Sequence, residues 1–245
     1  MFKSKLASVV FILLTINALT AQITKPEVTE VWEPEPRAVK TEAGKIPADA
    51  IVLFDGSSLD AWQHAYDKDT PAGWTIEGDH MTVKPGTGDI KTKEKFGDVQ
   101  LHLEFRTPKK AESEGQGRGN SGVFLQNRYE IQILDSYENR TYSNGQAGAL
   151  YKQAMPLVNA SRPPGTWQTY DIIFTAPRFN ADGMRVAPGY VTVLHNGVVI
   201  QNHTQIHGTT EYIGMPKNAA HGDDVIKLQD HGNTTSFRNI WVRRL

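Results

Sequence analysis

From about Ile51 to Leu245 the chain never sustains the 3.6-residue apolar period of a helix; its apolar residues come in short alternating runs cut by Gly, Asn, Asp and Pro. Such a chain cannot bury a helical stripe. It must pair short strands, which predicts an all-β fold, an antiparallel sandwich or barrel. The clearest runs are 74–77, 80–83, 98–106, 122–126, 129–134, 170–175, 190–194, 198–201 and 237–242. Between two of them stands Asn196-Gly197, the pair that supplies both positive-φ positions of a type I′ hairpin turn. In Leu101-His-Leu-Glu-Phe-Arg106, alternation puts Leu101, Leu103 and Phe105 on a core face and His102, Glu104 and Arg106 on a polar one. With 39% hydrophobic residues, the chain has enough apolar material for one such core.

The two ends of this region differ from it. Residues 1–21 run from Lys3 and Lys5 through an apolar stretch to the small residues before Gln22, the order of a secretory signal peptide. The apolar run is broken by Thr15 and Asn17, too short for the roughly 20 residues of a bilayer span, so export without a membrane span is expected. Residues 22–48 carry Pro26, Pro34, Pro36 and Pro47 and no apolar period, which predicts an extended arm before a domain of residues 49–245. Loss of Lys3 and Lys5 with the leader takes 26 basic residues to 24 against 27 acidic ones, a net charge of -3 that disfavours nucleic acid as a partner. Cysteine is absent, so disulfides, thiolate metal sites and cysteine nucleophiles are excluded. Any chemistry falls to oxygen and imidazole groups.

Two stretches between strands are long, 109–119 and 136–165, and both are expected to rim a cleft, the Gly-rich 115–119 as a flexible lid. The most informative run lies between them, Asn120 to Asp135. Glu130 and Gln132 are two apart and share a strand face, whereas Asp135 joins them only if a bulge near Ile133 inserts a residue. The spacing resembles the Glu-x-Asp-x-x-Glu strand of laminarinase-type retaining glucanases, with the middle acid an amide and the last acid shortened. Polar residues at a solvated strand edge are the plain alternative. A second candidate is Gln229-Asp230-His231-Gly232 at a strand end, where a carboxylate beside His231 can fix the tautomer of a general base. A turn histidine of this kind is otherwise a surface residue. The remaining histidines form no recognised metal-ligand spacing. Among the aromatics, Trp74 and Trp241 are expected in the core, and Trp62 and Tyr151, in loops, are the better candidates for stacking on a sugar ring.

The ordered motifs Leu53-Phe-Asp-Gly-Ser-Ser-Leu-Asp-Ala-Trp62, Gly73-Trp74, Leu103 to Arg106, Asn120-Ser-Gly122, Tyr129 to Asp135, Gly148-Ala-Leu-Tyr151, Asn196-Gly197, Leu228 to Gly232 and Phe237-Arg-Asn-Ile240 resemble the 3-keto-disaccharide hydrolase domain family. The resemblance covers nearly the whole expected domain. It implies a concanavalin-A-like jelly roll of two antiparallel sheets and an exported enzyme acting on 3-keto-glycosides, with a small carbohydrate as its partner. A C3 ketone acidifies the C2 hydrogen, so a modest base can start a β-elimination of the C1 substituent, and hydration completes a net hydrolysis. On this reading Glu130, His231 and Asp135 are the catalytic candidates, with Glu104, Asn120, Gln132, Tyr151 and Gln229 as substrate contacts. Glu104 and His102 are expected to project toward the same hollow. The enolate oxygen needs hydrogen-bond donors or a metal, and a divalent metal ion held by Glu and His is compatible with the scheme. An ordinary retaining glycosidase using Glu130 and Asp135, and a non-catalytic sugar-binding module, are the alternatives.

Overall fold

A computed structural model describes residues 25–245, so the expected leader lies outside the described residues. The strands in chain order are β1 (Ile51–Phe54), β2 (Trp62–His64), β3 (Thr75–Glu77), β4 (His80–Thr82), β5 (Ile90–Phe96), β6 (Val99–Arg106), β7 (Ser121–Leu125) and β8 (Tyr129–Ile133). They continue with β9 (Gln168–Thr175), β10 (Arg178–Phe179), β11 (Arg185–Ala187), β12 (Gly189–His195), β13 (Val198–Ile206), β14 (Asp224–Leu228) and β15 (Ser236–Arg244). All pairings are antiparallel. One sheet runs β13-β12-β9-β6-β15-β4-β3 with β1 also on β15, a second runs β2-β5-β14-β7-β8, and β10-β11 form a small ribbon. This is an antiparallel sandwich, as the punctuated pattern predicts, and the jelly roll that the family resemblance implies. Among the described residues no helix is long and apolar enough to cross a membrane.

Residues 25–38 form one unit, whose only regular element is a 3-10 turn at Pro26–Thr29 with no buried residue. The unit carrying the sheets runs from Val39 to Leu245. Inside it the two sheets bury Leu101, Leu103 and Phe105 of β6 and Tyr170, Ile172 and Phe174 of β9 against Val123, Leu125, Ile131 and Ile133 of β7 and β8. At about 25 cal/mol per Å² of apolar surface this burial is the main force holding the sheets together. Two buried polar bonds join the sheets, from the Tyr170 hydroxyl to the Gln132 carbonyl at 2.8 Å and from the Trp62 indole N–H to the Leu53 carbonyl at 2.8 Å.

The Asn196-Gly197 turn has φ of 53° and 80°, the two positive values of the expected hairpin, closing β12 onto β13. The strand pattern missed β1, β2, β5, β10, β11 and β14. β5 reads Ile-Lys-Thr-Lys-Glu-Lys-Phe, where lysines on the outward parity hide the strand, because their stems cover the sheet while their charge reads as loop. The bulge near Ile133 that Asp135 needs to join Glu130 and Gln132 is not formed: β7 and β8 pair without a slip from Ser121↔Ile133 to Leu125↔Tyr129. A slip occurs instead in β15, between Arg238↔Glu104 and Trp241↔His102, with Asn239 at a φ of 47°. There β15 passes from β4 to β1 as its second neighbour, so the extra residue sits where the partner changes. The 115–119 segment is not a free lid. Gly115 N–H donates to Asn139 Oδ1 at 2.9 Å and Gln116 Nε2 to the Gly145 carbonyl at 2.8 Å, which tie it to the other long connection.

Tyr170→Phe removes the only hydroxyl bridge described between the two sheets while keeping the ring, and the Gln132 carbonyl keeps its bond from Gly148 N–H. A loss of about 1 kcal/mol in urea unfolding is expected, with the m-value unchanged.

Candidate active site

Period-2 geometry on β8 sends Ile131 and Ile133 into the core and Glu130 and Gln132 to the opposite face of the small sheet. In register beside them on β7 stand Phe124, opposite Glu130, and Gly122, opposite Gln132; Lys227 of β14 stands opposite Phe124. This outer face is not bare. The 148–151 segment runs along the free edge of β8, with Tyr151 N–H donating to the Glu130 carbonyl at 3.0 Å and Gln132 N–H to the Ala149 carbonyl at 3.0 Å. From the 207–223 connection, Thr210 Oγ1 accepts the Glu130 N–H at 2.9 Å. Asn120, Phe124, Glu130, Gln132, Tyr151, Thr210, Tyr212, Gln229 and His231 line the resulting cavity of about 230 Å³.

Glu130 is only 4% exposed, and among the described residues no cation pairs with it. One end of the Gln132 amide lies 3.1 Å from Glu130 Oε1 and 2.9 Å from the Ser121 carbonyl, so a nitrogen there donates to both. Lys227 does not answer the carboxyl. Its Nζ donates to Asp89 Oδ2 at 2.8 Å and sits 3.8 Å over the Phe124 ring, and in register that ring comes between lysine and glutamate. Burial therefore pushes the Glu130 carboxyl up to about 8, with Lys227 opposing and Asp89 adding to the rise. The room for the carboxyl comes from Gly122, where a methyl would lie 2.6 Å from Glu130 Oε1.

The other members surround this carboxyl. Tyr151 is 9% exposed and shares a 2.6 Å hydrogen bond with the Tyr142 hydroxyl; burial first, and that bond second, raise its phenol above the ordinary value. His231 is exposed at the cavity wall, and among the described residues its ring makes no hydrogen bond. The carboxylate expected to steer it is occupied elsewhere: Asp230 accepts from the N–H groups of Gly86 at 2.8 Å, Gly88 at 3.1 Å and Gly232 at 2.9 Å, and so shapes the turn rather than the imidazole. Gln229 Oε1 is buried with no partner, an acceptor open to a hydroxyl in the cavity.

Six of the eight candidate residues therefore meet in one hollow: Glu130, His231, Asn120, Gln132, Tyr151 and Gln229. Asp135 does not. Without the bulge it lies past the end of β8, 2% exposed, accepting from Arg118 Nε at 2.6 Å, and it lines a separate groove. Glu104 and His102 do not either. Leu103 and Phe105 take the inward parity of β6, so these two face outward from the large sheet, on the far side of the sandwich from Glu130. There Glu104 pairs with Arg238 Nε at 2.7 Å and His102 with Asp171 at 2.7 Å. Trp62 is no sugar platform: 2% exposed in β2, its indole N–H donates to the Leu53 carbonyl. Trp74 is in the core as expected, while Trp241 is buried against His102 on the outer face, ring centres 5.1 Å apart.

Sequence reasoning missed Phe124, Thr210, Tyr212 and the Lys227–Asp89 pair. Phe124 shares the outward parity of Gly122, a signal hidden by its apolar neighbours. Thr210 and Tyr212 lie in an irregular connection that only the folded chain brings to β8. A metal held by the protein alone does not fit: the cavity offers one carboxylate and one imidazole, and no group of three or more His, Cys, Asp or Glu suited to a metal occurs among the described residues.

Fold and cavity together define an antiparallel β-sandwich with a polar, amide-rich hollow on its smaller sheet. The chain belongs to the 3-keto-alpha-glucoside-1,2-lyase-like domain family, which it matches over residues 49–243. It is 25% identical to a 3-keto-disaccharide hydrolase of Bacteroides thetaiotaomicron over 276 aligned positions, covering 89% of this chain and 87% of that protein. A crystal structure of a candidate glycosyl hydrolase from Parabacteroides distasonis superposes with a TM-score of 0.86 at 49% identity, covering 90% of this chain and 97% of that one. A second structure so described from the same organism, at 18% identity and a TM-score of 0.58 over 80% of this chain and 94% of that one, shares the fold.

A carboxyl with a folded value near 8 and an ordinary one near 4.5 holds its proton in the native state where the unfolded chain has lost it. Its contribution to stability falls as pH rises through that window. Glu130→Gln is therefore expected to gain stability relative to the wild type between pH 5 and pH 8, by roughly 2–4 kcal/mol at the upper end, in parallel urea titrations. An unchanged difference at the two pH values would show that Glu130 is ionised throughout.

Proposed function

We propose that this chain is an exported enzyme that cleaves 3-keto-glycosides, 3-keto-disaccharides among them, by elimination at C1–C2 followed by hydration. The observation that carries the reading is the cavity that sets a buried carboxyl without a counter-ion, Glu130, and an exposed imidazole, His231, among sugar-binding amides. Family membership and the named relative point the same way.

The chemistry needs a base for carbon and an acid for oxygen. His231 takes the C2 proton, and the C–H electron pair becomes the enolate of the C3 ketone. As the enolate collapses, C1=C2 forms and the C1–O bond breaks; the leaving oxygen takes the Glu130 proton. A carboxyl with a value near 8 still carries that proton at neutral pH, which an exposed glutamate does not. In the second half, water adds to C1 while the Glu130 carboxylate takes its proton. The His231 imidazolium returns a proton to C2. Both groups end as they began, and the net change is hydrolysis. Asn120, Gln132 and Gln229 hold the sugar hydroxyls, the unpartnered Gln229 Oε1 as an acceptor. The Tyr151 phenol, kept protonated by burial, serves as a donor toward the enolate oxygen.

Turnover of a 3-keto-glucoside but not of the same glucoside with its C3 hydroxyl is expected, with deuterium entering C2 in heavy water. His231→Ala and Glu130→Gln should each lower kcat/KM roughly 10²-fold or more. Equal turnover of both glucosides, or no label at C2, would rule the elimination out.

The leader, with Lys3 and Lys5 before an apolar run and small residues, supports export. N-terminal sequencing of the protein recovered outside the cytoplasm should begin near Gln22.

A further inference from the structure

The buried pair Lys227–Asp89 takes no part in that scheme, yet it lies between the two groups that do. Both side chains are nearly sealed from water, Asp89 at 6% and Lys227 at 7% exposure. Asp89 uses both oxygens: Oδ2 accepts from Lys227 Nζ at 2.8 Å and the Tyr66 hydroxyl at 2.7 Å, and Oδ1 accepts the Asp230 N–H at 2.9 Å. Asp230 is the residue before His231, and its own carboxylate ties the turn back to Gly86 and Gly88, the loop that leads into Asp89. One carboxylate thus touches both the cation closest in register to Glu130 and the backbone that presents His231.

We propose that Asp89 is a positioning residue for this site: it draws the Lys227 ammonium away from Glu130 and clamps the turn carrying His231, so that the carboxyl stays without a counter-ion opposite the imidazole. The assignment rests on the proposed function for its consequence in catalysis, but the geometry stands without it. A buried ammonium seeks a carboxylate, and Lys227 has Asp89 at 2.8 Å and Glu130 one position further across the sheet, beyond Phe124. With Asp89 engaged and the Phe124 ring between, Lys227 is spent on a partner that does no chemistry. Were Asp89 neutral, the same ammonium would be drawn to Glu130 and the site's acid would become an ion-paired carboxylate.

The groups facing Glu130 are Lys227 from β14, His231 from the turn after it, Tyr151 with Tyr142 from the covering segment and Tyr212 from the 207–223 connection, with Asp89 behind Lys227. Of these, only Lys227 and Asp89 form an ion pair with each other. The test is therefore a charge cycle read directly at Glu130, by carboxyl 13C NMR titration of the full protein, with Glu130→Gln assigning the resonance. Asp89→Asn should lower the Glu130 midpoint and Lys227→Met should raise it, each by roughly one pH unit, and the double variant should return it close to the wild type. A merely structural role would give the same direction in both single variants, or no shift in either, and either result overturns the proposal. Far-ultraviolet circular dichroism of each variant confirms folding, and if Asp89→Asn fails to fold, the fall of the midpoint from Lys227→Met to the double variant decides, since only the Asp89 charge differs between them. In parallel, the kcat/KM profile on the 3-keto-glucoside should move with the NMR midpoint. A midpoint that shifts as expected in a protein with no such turnover would leave the positioning intact and overturn the proposed function instead.

Discussion

Strand β8 is buried on both faces, and the character of the molecule follows from that. On one side Ile131 and Ile133 belong to the sandwich core; on the other, Glu130 and Gln132 lie under two connections and are almost shut off from bulk water. A glutamate in such a place either finds a cation or keeps its proton. The sheet offers it an amide, a glycine and an aromatic ring, and gives the adjacent lysine to another carboxylate. What results is a weak acid whose proton is available near neutral pH.

The two outer faces of the sandwich handle polar residues in opposite ways. On the large sheet, Glu104 meets Arg238, His102 meets Asp171 and stacks on Trp241, and Arg243 grips Asp49 with two bonds. Charges there are matched and near water, the usual state of a solvated sheet face. On the small sheet the carboxyl goes unmatched, an amide oxygen goes unpartnered, and an imidazole stands free. A buried carboxyl without a cation is costly to fold, and its place beside an unpartnered amide oxygen and an exposed imidazole is what marks this hollow as a ligand site.

How far the site was legible in the chain follows from how local each signal is. The shared face of Glu130 and Gln132 needs only the two-residue period of a strand, and the structure has it. Whether Asp135 joins them depends on a bulge, and a bulge is set by the partner strand; β7 supplies an unbroken ladder, so Asp135 ends up with Arg118. The period also assigns His102 and Glu104 correctly to a polar face, but which outer face of which sheet is a matter of strand order, and β6 sits in the other sheet. Trp62 reads as loop because three-residue β2 is too short for a period to emerge.

Alternation, turn residues and the absence of any helical stripe were enough to dictate paired short strands, the hairpin at Asn196-Gly197 and the inward set of apolar residues, because each of these depends on neighbours within a few positions. The meeting of Glu130, Tyr151, Thr210 and His231 around one cavity, and the capture of Lys227 by Asp89 from 138 residues away, join segments far apart in the chain. No local pattern encodes them. They arise only when the two sheets close on their common core and the long connections fold back over β8, since burial, and with it the proton on Glu130, is a property of what covers a residue and not of the residue itself.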